Sequence, residues 1–397
     1  ELDGNSFLSH AARNLPSTML GWHYRSRSES LISFSNAAFY DSELLTVPER
    51  AVQDSGRAEI RPQAPEEGEK NAALLLERPV SFHHLEGARY ESRRNPAEAA
   101  YIAHLVKGLL AAPERPSIGI VAFSEAQQTQ IETALERLAA QDKEFGARLE
   151  EEYEREEDGQ FSGLIVKNLE NIQGDERDVI LLSVCYGPGP DGRMLMNFGP
   201  INQSGGEKRL NVAFSRAKKH MAVVSSIPHT AITNVYNDGA NALRNYLQYA
   251  AAMSSGDSRT AAAILKSLGT GRASQEVDQD LVVTAVAEAL KSRGLEVEAY
   301  VGQSHFRCHL AVRKPGETSH GVAVFVDTEG HYDETDVLER EVLKPALLRA
   351  FGWTVCHVFT KDWQEDREGV LSRIERRLSG EAPEPGAEAE VDPPSSP

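Results

Sequence analysis

Short blocks of valine, isoleucine and leucine alternate along this chain with longer stretches whose apolar residues recur at helical spacing. Ser117 to Phe123 (Ser-Ile-Gly-Ile-Val-Ala-Phe), Leu164 to Lys167, Val179 to Cys185 and Met221 to Ser225 have the length and content of buried strands. After a strand-like start near residue 19, an apolar helix is expected from about Ser28 to Tyr40. Pro96 opens a second helix, in which Ala99, Ile102, Val106 and Leu110 fall near one face. Further helices are expected from Glu125 to about Ala139 and from Lys208 to Ala217. Strands alternating with helices predict an α/β fold with a parallel, doubly wound sheet over residues 1–249.

From Ala250 the pattern thins into Ala, Ser, Gly and Thr, so residues 250–275 read as an interdomain linker with a short helix. A second unit, residues 276–380, follows in the order helix (Val277 to Arg293), three strands (Leu295 to Tyr300, Phe306 to Val312, Val322 to Asp327), helix (Asp336 to Ala350), strand (Trp353 to Thr360), helix (Trp363 to Leu378). That is a small mixed α/β domain. Residues 381–397 are acidic and proline-rich and are expected to be a disordered tail, while the charge run Glu150 to Asp158 reads as a solvated helix end.

A length of 397 residues fits two cores better than one. The net charge of −18 argues against nonspecific duplex binding by the whole surface, although local basic patches could still serve. Nothing resembles a membrane span or a signal peptide, and a cytoplasmic location is expected. Cys185, Cys308 and Cys356 lie far apart in apolar runs, which suits core fillers in a reducing compartment. The chain starts at Glu1 with no methionine, and it is expected to be part of a longer polypeptide.

Chemistry concentrates in two segments. Val166 to Ile180 contains the turn Gln173-Gly174-Asp-Glu176, and Arg209 to Lys218 contains Asn211 and Arg216. Upstream lie Leu20-Gly-Trp-His23-Tyr24-Arg25-Ser-Arg27, with Asn36-Ala-Ala-Phe39-Tyr40 after it, and Ile118-Gly-Ile-Val-Ala-Phe-Ser-Glu-Ala-Gln127. Taken in order, these four segments resemble the motifs of the second RecA-like lobe of superfamily 1 helicases, in the branch of the nonsense-mediated-decay helicases and their bacterial relatives. His23 departs from that pattern, which usually carries Gln there.

The resemblance implies that Arg25 and Arg216 reach the γ-phosphate of ATP, for which a planar, permanently charged guanidinium is suited. It implies that Tyr24 lines the base or ribose. Glu176 would bind a ribose hydroxyl, and Gln173, with Gly174 in the turn, would couple that site to the strand-binding face. Gln127 and Asn211 would be polar contacts around the nucleic-acid groove or the cleft. Lys218, in the basic cluster Lys208, Arg209, Lys218, Lys219 and His220, would meet phosphate backbone. Taken singly, each of these residues is equally at home on an ordinary solvated helix face.

The sequence has no Gly-x-x-x-x-Gly-Lys-Ser/Thr loop. ATP and Mg²⁺ are therefore expected to be completed by an N-terminal RecA-like lobe of the same polypeptide, and this chain alone is not expected to be active.

Residues 276–363 resemble a restriction-endonuclease-like domain of the very-short-patch-repair type, found fused to such helicases in bacteria. The likeness rests on Val301-Gly302, Phe306-Arg307-Cys-His309, Val326-Asp327-Thr-Glu329-Gly330, Glu339-Arg340-Glu341, Phe351-Gly-Trp353 and Val358 to Trp363. Such nucleases gather carboxylates on a divalent metal. Asp327 and Glu329 are the candidate ligands, expected to alternate along one strand and so share a face. His309 stands where the family carries Asp, and Val283 where it carries an acid. A neutral imidazole is a poor Mg²⁺ ligand, so a degenerate nuclease fold that binds DNA or a partner is the expectation. Lys344 reads as a surface lysine.

The leading reading is the C-terminal portion of an ATP-dependent helicase translocating on single-stranded nucleic acid, with DNA expected. A noncatalytic binding module and a metal-dependent endonuclease are the alternatives.

Overall fold

The computed structural model describes residues 21–52, 56–269, 280–333 and 336–380. The expected tail 381–397 and the end of the expected linker, 270–275, lie outside the described residues.

The strands in chain order are β1 (Trp22–His23), β2 (Leu45–Thr46), β3 (Val80–His84), β4 (Ile118–Ala122), β5 (Glu156–Glu157), β6 (Gln160–Phe161), β7 (Ile165–Asn168), β8 (Arg177–Ser183) and β9 (Ala217–Ser225). The second unit adds β10 (Glu296–Val301), β11 (Cys308–Arg313), β12 (Val322–Val326) and β13 (Thr354–Val358). The larger sheet has the order β3-β9-β8-β4-β7, and every pairing in it is parallel. Each central strand is buried on both sides, which explains its unbroken apolar run. Alternate residues still part company. Val121, Phe123, Ile180, Leu182 and Val223 enter one core, while Ile118, Ile120, Val179, Leu181 and Val224 enter the other.

The first core is covered by α1 (Ser30–Phe39) and by helices further along the chain; the second is covered by α2 (Glu67–Leu76), α3 (Pro96–Ala111), α4 (Glu125–Gln141) and α5 (Lys143–Tyr153). α3 starts where it does because Asn95 caps it, its side chain accepting from the Glu98 N–H at 3.2 Å, with Pro96 in the first turn. α2 crosses α3 closely at two glycines. A Cβ on Gly68 would lie 2.7 Å from the Tyr101 carbonyl oxygen, and one on Gly108 would lie 2.6 Å from that of Glu69.

Three expectations need correction. α2 and β3 were not foreseen, and α5 only through the helix end expected at Glu150. The charge run beginning at Glu150 splits between the end of α5 and the β5–β6 hairpin. The expected linker is helical over most of its described part: α6 (Gly206–Phe214) is followed by α7 (Asp238–Ser255) and α8 (Ser258–Leu268), and Ala261 and Ile264 are buried in the first core. Gly256, with φ +74, and Asp257, which caps α8, separate the two helices.

The second unit is a four-stranded sheet, β10-β11-β12-β13, antiparallel except for the parallel β12–β13 pair. α9 (Leu281–Ser292) and the closing helix Arg367–Leu378 bury one face around Val286, Leu290, Leu371 and Ile374. The other face, with Phe306, Trp353 and Val355, packs on Val47 and Leu45 of the first unit.

Candidate nucleotide-facing site

Three loops meet at the amino ends of β8 and β9. Glu176 immediately precedes β8, Arg216 immediately precedes β9, and Arg25 follows β1. The Arg25 Nε donates to Glu176 Oε2 at 2.5 Å, and its Nη1 donates to the Ser215 carbonyl at 3.3 Å. Arg216 turns back on its own helix: Nε donates to the Val212 carbonyl at 2.8 Å and Nη2 to Ser215 Oγ at 3.1 Å. Ser215 is thus the common anchor of both arginines. Among the described residues, Nη2 of Arg25 and Nη1 of Arg216 have no hydrogen bond.

The electrostatics favour an anion. Lys218 Nζ lies 3.1 Å from Glu176 Oε1, so Glu176 bridges Arg25 and Lys218, while Arg216 feels both Glu176 and Asp175. Burial pushes the Glu176 carboxyl upward, but hydrogen bonds from Arg25 and Lys218 outweigh it and hold the group below its ordinary range. Burial and then the neighbouring charge of Arg25 pull the Arg216 pKa down. Nearby His23 falls to about 4, through burial first and then Arg25 and Arg216, so it is neutral at physiological pH. Its Nε2 accepts from the Ser26 N–H at 3.3 Å. Like charges confined around a half-buried opening are stabilised when an anion enters.

The remaining candidates fall into place around this cluster. Tyr24 is 69% exposed, a bare ring beside Arg25. Gln173 and Gly174 are exposed, and Gly174 has φ +95 with open space where a Cβ would be. Lys167 closes the turn by pairing with Asp175 at 2.6 Å. Asn211 donates to the Tyr40 hydroxyl at 3.1 Å, on the arginine side of α6.

One nucleic-acid assignment is corrected. Gln127 is fully buried: its Oε1 accepts from the Asn95 N–H at 2.6 Å, and its Nε2 donates to the Asn95 carbonyl at 3.1 Å and to Ser183 Oγ at 3.0 Å. No strand can touch it there. Lys218 pairs with Glu176 and keeps a partly exposed ammonium. Sequence reasoning also missed Ser215, for which only its place before Arg216 gave any hint.

The metal assignment in the second unit is corrected as well. β12 ends at Val326, and Glu329 opens a short helix, Glu329–Asp333, instead of continuing the strand. Asp327 is used up locally. Its Oδ1 accepts from the Thr360 N–H and hydroxyl, each at 2.6 Å, and its Oδ2 from the Tyr332 hydroxyl at 3.1 Å. His309 Nδ1 accepts from the Val326 N–H at 2.8 Å, and burial, above all, lowers its pKa to about 4. Among the described residues no group of three His, Cys, Asp or Glu side chains could hold a metal ion. The donor set does not fit a divalent cation.

A parallel five-stranded sheet covered on both faces places the larger unit in the RecA-like class. The chain belongs to the AAA domain family, whose model (AAA_12) matches residues 4–227. A second family model, REase_MTES_1575, matches residues 283–378. The chain is 26% identical over 379 residues to a protein of Mycoplasma genitalium named "Uncharacterized ATP-dependent helicase MG140", and 25% identical over 377 residues to its homolog in Mycoplasma pneumoniae. Each comparison takes in 94% of this chain but 30% of the relative, so the chain spans under a third of their length. A solved structure, the C-terminal domain of a possible DNA helicase from Lactobacillus plantarum, is 15% identical and covers 43% of this chain and 88% of that one. Its TM-score of 0.22 is too low to bear on the fold. Among the described residues no helix is long and apolar enough to cross a membrane.

Proposed function

We propose that this chain supplies the second lobe of an ATP-dependent helicase, its ATP and Mg²⁺ completed by a phosphate-loop lobe earlier in a longer polypeptide. The observation that carries this is the convergence of Arg25 and Arg216 on Ser215 beside Glu176. A γ-phosphate brought to this opening would meet the free nitrogens of both arginines, which neutralise the charge that develops on transfer. Glu176 keeps lone pairs for a ribose hydroxyl, and Tyr24 offers a ring to the base. The second unit, whose Asp327 is held by Thr360 and Tyr332, is noncatalytic in this reading.

The single strand, DNA by the kinship of the second unit with restriction endonucleases, would lie at the opposite edge of the sheet. There the loops after β3 and β8 expose Arg89, Arg93, Arg94 and Arg193, and the loop after β9 exposes Tyr236. Arg89 donates to the Gly189 carbonyl at 2.9 Å, which ties two of these loops together. Basic side chains with an exposed ring suit backbone tracking and base stacking.

In the longer polypeptide, Arg216→Ala should lower nucleic-acid-stimulated ATP turnover by about 10³-fold or more with the far-ultraviolet spectrum unchanged. Turnover within a few-fold of wild type would overturn the motor reading and leave a noncatalytic binding module.

A further inference from the structure

Among the described residues the second unit gathers no metal-binding cluster, yet it holds one segment of the first unit by many contacts. We infer that it acts as a clamp that positions Arg25. Arg25 lies between Trp22 and Arg27, and both neighbours touch the second unit. The Trp22 ring meets Phe306 edge-on at 5.2 Å, and its Nε1 donates to Glu339 at 3.0 Å. The Arg27 guanidinium lies 5.0 Å over the Phe351 ring.

The contact continues along the segment. The Gln303 N–H donates to the Glu29 carboxyl at 2.8 Å, and the Thr46 N–H to Ser304 Oγ at 3.1 Å. Trp353 Nε1 donates to the Pro48 carbonyl at 3.0 Å, and Arg50 and His320 exchange two bonds of 2.8 Å. Ala51 bridges Ser319 in antiparallel fashion. The opposite side of the same segment is fastened to the start of β9: the Arg27 N–H donates to the Lys218 carbonyl at 2.7 Å, and Ser26 Oγ to that of Ala217 at 3.3 Å.

A loop this short, held at both flanks, fixes where its guanidinium can go. Among the described residues β1 and β2 pair with each other and not with a strand of the large sheet, whose hold on the backbone of this segment is the bonds to Lys218 and Ala217. The hydrophobic face of the second sheet adds a second support on the other side.

The clamp rests on the motor reading above, and its test separates the two. Phe306→Ala in the longer polypeptide should speed amide exchange at residues 22–27 about tenfold or more while β4 and β8 keep their protection. The kcat for ATP should fall about tenfold, since misplacement by about 1 Å can cost 10²-fold. KM for ATP should stay within about twofold, because the arginine acts on developing charge. Phe306→Leu, which refills the space, should restore both readings. If Phe306→Ala strips protection from the whole four-stranded sheet, Trp22→Ala, at the edge of the contact, should give the same pair of results. Unchanged exchange at 22–27 overturns the clamp, and so does faster exchange with normal kcat. Should Arg216→Ala also leave turnover intact, the motor reading has failed and exchange alone decides the clamp.

Discussion

Glu29 offers a quantitative test of the seam between the two units. It precedes α1, is 4% exposed, and its carboxyl accepts from Thr46 Oγ1 and from the Gln303 N–H. Burial is the largest influence and raises its pKa to about 7 from 4.5; the two donors oppose the rise, and neighbouring Glu49 adds to it. In the unfolded chain the group ionises near 4.5, so between about 4.5 and 7 the folded state keeps a proton that the unfolded state gives up. Stability is therefore favoured below this window and falls as pH rises through it. A rise of about 2.5 units corresponds to roughly 3 kcal/mol lost by pH 8. Glu29→Gln abolishes the ionisation and can satisfy both partners, because Thr46 Oγ1 and the Gln303 N–H both donate to Oε1, a place the amide oxygen can take. The expectation is a variant more stable than wild type by roughly 3 kcal/mol at pH 8 and by less than about 1 kcal/mol at pH 5. Urea unfolding across pH 5–8 measures the difference, and taking wild type minus variant cancels Glu98, whose pKa is also raised to about 7. Parallel stability curves for the two proteins would refute the claim that Glu29 is ionised at a cost.

Gln127→Ala should cost about 3 kcal/mol, because it strands the N–H and carbonyl of Asn95 in a buried setting, yet single-strand affinity should not move. Denaturation together with fluorescence anisotropy checks both halves, and weakened binding at full stability would return Gln127 to the groove. Replacing Arg93, Arg94 and Arg193 together with alanine should weaken single-strand binding and lower the slope of log affinity against log salt by about 2. An unaltered slope would place the strand elsewhere.

Continuous apolar runs made β4 and β8 readable, because strands buried on both faces need no polar alternation. β3 escaped notice for a definable reason. Its sequence Val-Ser-Phe-His-His looks half polar, but Ser81 and His83 are fully buried and satisfy each other at 2.9 Å, with His83 then reaching the Tyr101 hydroxyl at 2.7 Å and Tyr101 in turn meeting Asn71 at 3.0 Å. A hydropathy pattern cannot see partners that cancel a polar cost. Gln127 misled for the same reason in reverse: a glutamine after a strand reads as a surface contact until its amide is found spent inside. The meeting of Arg25 with Glu176 across 151 positions depends on the fold alone. In the second unit, the expected Asp-Glu alternation failed because β12 ends before Asp327, a boundary that no change in residue pattern announces.

The two edges of the large sheet bear on how such a lobe would work. Glu176 stands at the amino end of β8, and the loop bearing Arg193 leaves its carboxyl end. Seven residues at about 3.3 Å each separate these edges by roughly 23 Å. β8 is hydrogen-bonded on both sides, and its last turn is fixed by buried Glu98, which accepts from Ser183 Oγ at 3.0 Å and the Cys185 N–H at 2.8 Å. A strand held on both sides resists bending between these two edges. On the motor reading, the whole lobe must move as one body when the arginines engage phosphate, carrying the arginine-bearing loops with it. The second unit, fastened to the Arg25 segment at both flanks, would travel with that body. A hinge inside the lobe would show as unequal changes in amide protection at β4 and β8 when nucleotide binds, and equal protection of both is what a rigid lobe requires.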